Sequence, residues 1–476
     1  MERNPSIGVA ADLVTSSFVS GVSNKPEVVE AINYLKENKD KLSTALFHIT
    51  EMISNTNEMK KKETAILEKE SETIDKFRCF IDDNLFNDLI HKIKLQAKEN
   101  LFGAITWVEL ARLYSINGQE AKADNAMSIA LHIAPNNRFV LRSATRLYIH
   151  IGNPDKALFY LRKNEITKHD PWLLSAHIAT STIMDRFSPL SKNGQEVLSS
   201  KHFTAFDKTE LASSLGTLEL KNGSFKKAKL LIDQSLIMPN DNSLAQLEWL
   251  SKEDSRFHIN PFKFQNVVNP FEAHALDLFN KGFWAEAFKS SLNWYLDLPY
   301  SKRPVLLASY IACCITNDFD AAIMLCEVGL KSNPGDPDIL NNLVYAYAKA
   351  NKLEQAENYV KQFISLAQNN RLESNNIITF QATIGLIFFR MGQIEDGKKY
   401  YKSAITNAEK ANNIYLKNLA IVNFTTELVI SNDAEKHDYL AIVDQVRNTA
   451  KEVDLLAAID NIGKLQDKDK NEAIIF

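Results

Sequence analysis

A repeat of about 34 residues restricts this chain's fold more than any other feature of its sequence. Trp107 is answered by Leu141, Tyr114 by Tyr148, Gly118 by Gly152 and Ala123 by Ala157, each pair 34 positions apart. A period of that length, with one small and several large apolar positions, encodes a helix pair that stacks on its neighbours. Stacked pairs contact only the pairs beside them, so the product is a solenoid with a long curved inner surface. Such a surface is suited to holding other proteins.

The first clear unit opens at Ala104 and reads ITWVELARLYSINGQEAKADNAMSIALHIAPN. Two antiparallel helices approach closely only where a small side chain meets a large one. Ala111 and Ala123 are therefore the expected contact points, with Trp107 and Tyr114 filling the groove. Gly118 lets the chain leave the first helix at positive φ, and Pro135 stops the second. The series Trp107, Leu110, Ala111, Tyr114, Ala123, Met127, Ala130 and Pro135 closely resembles the tetratricopeptide repeat (TPR), matching its pattern in type at every place. The resemblance implies an all-α fold: a TPR-like α-solenoid of antiparallel helix pairs in a right-handed superhelix, here with an N-terminal helical extension.

The template recurs along the chain. A second unit from Arg138 keeps Leu141, Ala144, Tyr148, Gly152 and Ala157. A third opens at Asp170, where Pro171 suits a first helical turn, but its second helix is interrupted by RFSPLSKNGQEVLSSKHF, an ordered insertion or a loop. Further units follow from Thr209 (Leu215, Gly216, Gly223, Ala228, Pro239), near Val268 (Ala275, Leu278, Gly282, Ala287, Pro299) and from Arg303 (Leu306, Ala322, Gly329, Pro334). The last two begin at Pro337 (Leu340, Leu343, Tyr347, Ala356, Phe363) and near Ile378 (Ile384, Gly385, Phe388, Gly392, Gly397, Tyr401, Ala404). The expected organisation is a flexible or late-docking segment 1–25, a helical extension 26–103 and a first TPR block 104–250 with an insertion near 185–203. A linker 251–267 containing Pro261, a second block 268–450 and a capping helix with tail 451–476 complete it.

The two ends leave alternatives open. Ile32, Leu35, Leu42, Leu46, Ile49 and Ile53 recur at helical spacing, so residues 26–99 form either a cap on the solenoid or a helical hairpin for homo-oligomerisation or effector docking. The helix through Val453, Leu455, Leu456, Ile459 and Ile462 is expected to close the stack. Ile474, Ile475 and Phe476 finish the chain, either as a recognition tail or folded back.

A net charge of −4 argues against nucleic acid as the main partner, and no apolar run approaches the ~20 residues of a membrane helix. Without a secretory leader the chain is expected to be cytoplasmic. Cys79, Cys313, Cys314 and Cys326 form no CxxC pair and no metal-ligand spacing, and Cys313 and Cys326 fall at core positions. His48 and His177 have no partner at metal spacing, and Asp82 and Asp83 read as cap or surface residues. No phosphate loop, nucleophile elbow, zinc motif or dinucleotide fingerprint occurs, so no catalysis, metal or cofactor is expected.

The resemblance places the first helix of each pair on the concave wall. In the first block that wall offers Arg112, Arg142, Arg146 and His150. Arginine's planar fork suits an acidic peptide; alternatively these residues form internal ion pairs with Glu109 or Asp155. In the second block Asn341, Asn342, Tyr345 and Lys349 face the groove, beside Phe389, Arg390 and Thr383 from the next unit. A side-chain amide donates and accepts at once, as an extended peptide backbone requires. The more apolar lining also suits an amphipathic helix. The chaperone-tail clamp of some TPR proteins is not reproduced, since Val108 and Arg142 stand where it needs Lys and Ser or Ala.

These features point to a non-enzymatic scaffold or adaptor gripping a peptide or helix of a partner protein. The Lys, Ile and Asn content resembles bacterial arrays, which by analogy implies an effector or defence protein as partner. The alternatives are a ligand-gated regulator that answers to a short peptide and an RNA-binding repeat protein using Arg112, Arg142 and Arg146.

Overall fold

The structure is a computed structural model that describes residues 6–20, 26–42, 46–47, 50, 82–258, 260, 263, 267, 269–369 and 372–474. Among the described residues every regular element is helical. The chain divides into two compact units, Met1–His274 with Leu296–Tyr300, and Ala275–Tyr295 with Ser301–Phe476.

The first unit starts with α1 (Ile7–Ser20) and α2 (Pro26–Glu37), which share a core of Ala10, Ala11, Val14, Val28, Ala31, Ile32 and Leu35 that reaches Ile105. Segment 1–25 thus holds a docked helix. Its small residues give little amphipathic contrast in sequence, yet they let two helices approach closely. Next is α3 (Asp83–Glu99), capped by Asp82, whose side chain accepts from the backbone N–H groups of Asn84 and Leu85. The charged run 60–77, with Ile49, Ile53, His48 and Cys79, lies outside the described residues.

Helix pairs follow in register with the repeat: α4 (Ala104–Ile116) with α5 (Glu120–Ile133), α6 (Arg138–His150) with α7 (Pro154–Lys163). Ala111, Ala123, Ala144 and Ala157 are buried where the helices meet, and Tyr148 is fully enclosed. The third pair is complete: α8 (Pro171–Ile183) is answered by α9 (Ser191–Ser199) inside the stretch read as an insertion or loop. The small position there is Gly194, where a Cβ would lie 3.1 Å from Ile178 and 3.3 Å from Leu211. α10 (Thr209–Lys221), α11 (Phe225–Ser235) and α12 (Asp241–Glu253) end this array. The 251–267 stretch is more than a spacer, since Phe257 is buried against the core of α11 and α12. Asp241 accepts from the backbone N–H groups of Glu272 and Ala273, capping the start of α13 (Phe271–Lys281).

The second unit takes in α13 from Ala275 and α14 (Trp284–Asp297) as far as Tyr295. Its further pairs are α15 (Lys302–Tyr310) with α16 (Phe319–Ser332), α17 (Pro337–Lys349) with α18 (Leu353–Gln368), and α19 (Ser374–Arg390) with α20 (Ile394–Lys410). Then come α21 (Ile414–Ile430) with α22 (Lys436–Thr449), and the final α23 (Val453–Ile474). α15 continues into a widened π turn at Ile311–Ile315. The turn inside each pair needs one residue at positive φ. Gly392 supplies it at 76°, and Asn351 supplies it at 58° in the same place.

α23 does more than cover the outer face of the last pair. Leu455, Ile459 and Ile462 pack on α21 and α22, while its first turn reaches the beginning of the unit. Asp454 accepts hydrogen bonds from the hydroxyls of Tyr310 (2.8 Å) and Tyr415 (2.7 Å). A Cβ at Gly282 would lie 3.0 Å from Val453. No helix among the described residues is long and apolar enough to cross a membrane.

Candidate binding cavity

In the first unit the expected basic wall is matched by the chain's own acids. Arg112 donates through Nε and Nη2 to both oxygens of Glu109, at 2.9 and 2.7 Å. Arg142 pairs with Glu210 at 2.7 Å and lies 4.8 Å from the Trp172 ring centroid. Glu210, buried, stays below the usual glutamate range because Arg142, Arg146 and the amides of Asn240 and Asn242 outweigh its desolvation. Arg146 keeps contact with water and feels Tyr300, Asp297, Glu210 and Glu272, which outweigh a desolvation that works against its charge. His150 sits beside the Tyr300 ring, with centroids 4.9 Å apart. Of the internal partners expected for these arginines, Glu109 is used and Asp155 is not, because Asp155 pairs with Arg186.

In the second unit Asn341, Asn342, Tyr345, Lys349, Phe389 and Arg390 line one cavity of about 1000 Å³. The first four are carried on α17 and the last two on α19, both first helices of their pairs. Asn341 accepts from the Thr383 hydroxyl at 2.8 Å, which leaves its NH2 group to donate. Asn342 donates to Ser309 at 3.2 Å, which leaves its carbonyl to accept. The Tyr345 hydroxyl makes a long 3.4 Å bond to Asn423, and burial pushes its pKa well up, so it stays protonated. Lys349 and Arg390 both face Glu427, at 3.5 and 2.9 Å. Phe389 belongs to an aromatic cluster with Tyr401 and Phe424.

Other lining residues were not singled out by the sequence. Asn317 and Asn351 stand at the positive-φ turns, where they read as structural punctuation. Tyr415 and Asn423 come from α21, whose pair carries too little of the repeat pattern to register. Lys464 is contributed by α23, expected only as a cap. The π turn brings both Cys313 and Cys314 to the cavity wall; Cys314 is half-buried and Cys313 buried, its thiol pushed up by the hydrogen bond with Cys314 and by burial. Leu276, Phe279, Leu307 and Leu386, which also stand on first helices of their pairs, are not among the cavity's lining residues.

Among the described residues no cluster of His, Cys, Asp and Glu could hold a metal ion. His177 is fully buried, taking a hydrogen bond from Arg162 Nε on Nε2 and meeting Ser188 through Nδ1. Burial and Arg162 lower its pKa to about 4.

Residues 316–373 match the model of the tetratricopeptide repeat family. No curated protein matches the chain. Among solved structures, human IFIT1, as a dimer with PPP-AAAA, is 16% identical, with 81% of this chain and 95% of that chain covered and a TM-score of 0.38. Yeast Tom70 is 13% identical, with 98% and 96% covered and a TM-score of 0.32. Proteins built from such repeats generally mediate protein–protein or RNA interactions. The succession of helix pairs makes this chain an all-α helical-repeat protein, similar at residues 316–373 to the tetratricopeptide repeat.

Proposed function

We propose that the chain is a non-enzymatic interaction protein that holds a peptide segment of a partner in the cavity of its second unit. One observation carries the reading: Asn341 and Asn342 line the cavity with an NH2 donor and a carbonyl acceptor that internal bonds leave unspent. An extended backbone presents the complementary acceptor and donor along one edge. The volume of about 1000 Å³ lies at the upper end of ordinary ligand pockets and accommodates several residues of chain. The first unit supports an RNA reading poorly, because Arg112 and Arg142 already hold Glu109 and Glu210.

The test is calorimetric titration of the full chain with peptides selected on it from a random display library. The expected result is one peptide bound per chain, with affinity falling about tenfold in Asn341→Ala. A chain that selects no peptide would overturn the reading. RNA binding that is steeply salt-dependent and lost when Arg112, Arg142 and Arg146 are all changed to Ala would replace it.

A further inference from the structure

The cavity of the second unit is unbalanced in charge. Among the described residues its lining includes Lys349, Arg390 and Lys464 and no carboxylate side chain. Glu427 lies beneath the surface, only 3% exposed, and is shared by Lys349 and Arg390. One buried anion therefore faces two cations, whose own side chains are 14% and 19% exposed. Arg390 also keeps a buried Nε–H without a hydrogen-bond partner. Buried Asp454 is taken up by the hydroxyls of the cavity residues Tyr310 and Tyr415, and makes no ion pair with the three cations. Lys464 is exposed, and its amino group makes a 3.4 Å contact with the neutral amide of Asn461.

Desolvating charges is costly unless each is matched. The excess cation is tolerable in water and becomes a liability once a ligand displaces that water, unless the ligand brings an anion. Resting on the peptide-binding reading above, we infer that the segment this cavity takes carries an anionic oxygen group, seated against Lys349, Arg390 and Lys464. A neutral or basic segment would have to desolvate the same cations without compensation, and the site rejects it for that reason. The anionic group can be an Asp or Glu side chain, a phosphorylated residue or the segment's own terminal carboxylate. All three present the same oxygens to an ammonium and a guanidinium.

The probe is a library of random short peptides selected on the full chain. Peptides recovered are expected to be several-fold richer in Asp and Glu than in Lys and Arg, and to lose about tenfold or more in affinity when their acids become Asn and Gln. Lys464→Glu removes no buried contact and should cost a similar factor, whereas Lys361→Glu, an exposed lysine outside the cavity, should leave affinity unchanged. Resynthesis with Glu, with phosphoserine, and with a free or amidated terminus assigns the source of the anion. Recovered peptides without acidic bias, or acidic peptides indifferent to Lys464→Glu, overturn this inference while peptide binding itself stands. A library that yields no binder overturns both.

Discussion

Glu427 is a side chain whose loss acts in two opposite directions. It is the buried counter-charge of Lys349 and Arg390, so Glu427→Gln should lower unfolding free energy by about 3 kcal/mol in urea titration, as expected when one partner of a buried ion pair is removed. The same change should strengthen binding of acidic peptides, because an incoming carboxylate no longer competes with a resident one. His177 gives a second prediction. Its pKa of about 4 lies below the ordinary 6.5, so the stability it contributes is complete above 6.5 and is lost as pH falls toward 4. The span corresponds to about 3 kcal/mol. Half-buried Asp241, its pKa raised to about 7 by desolvation, acts in the opposite sense, its contribution being lost as pH rises through that value. Subtracting the pH–stability curve of His177→Gln from that of the unaltered chain isolates the histidine, and the difference should be constant above pH 6.5 and change only between pH 6.5 and 4.

At the scale of the helix pair, stability depends on whether two helices can touch. A Cβ at Gly397 would lie 2.5 Å from Phe389 Cδ2 and 3.0 Å from the Gly385 carbonyl, so α19 and α20 meet almost backbone to backbone. Gly397→Ala should cost about 1–3 kcal/mol in thermal melts and push Phe389 toward the cavity it lines. The turn at Asn351 predicts the reverse kind of tolerance: Asn351→Gly near neutral, Asn351→Ala costing about 1 kcal/mol at φ 58°. These same two devices decide what was legible in the sequence. Pairs with Ala at the crossing and Gly at the turn stand out by period alone. α9 hides because Gly194 serves as its small residue within a polar stretch. The pair α21 and α22 hides because its turn uses Asn432 and α21 is apolar nearly all round. Six residues on first helices reach the cavity wall, whereas Leu276, Phe279, Leu307 and Leu386, on first helices too, do not. The neutralisation of Arg142 was illegible because Glu210 stands 68 residues away, and no local pattern links them.

Across the molecule, each unit owns its core, with Tyr148 fully enclosed in one and Tyr401 in the other. Repeat arrays melt by neighbour-to-neighbour loss of contact rather than through a single shared core. Tyr401→Ala should therefore speed hydrogen exchange across α19 to α22 while leaving α4 to α7 protected, which mass spectrometry of the exchanged peptides would resolve. A solenoid ordinarily frays from its free end, one pair at a time. In the second unit the final helix reaches back to Tyr310 and Gly282, so its end is fastened to its beginning like a hoop closed with a clasp. Undoing that clasp would loosen both rims of the hoop together.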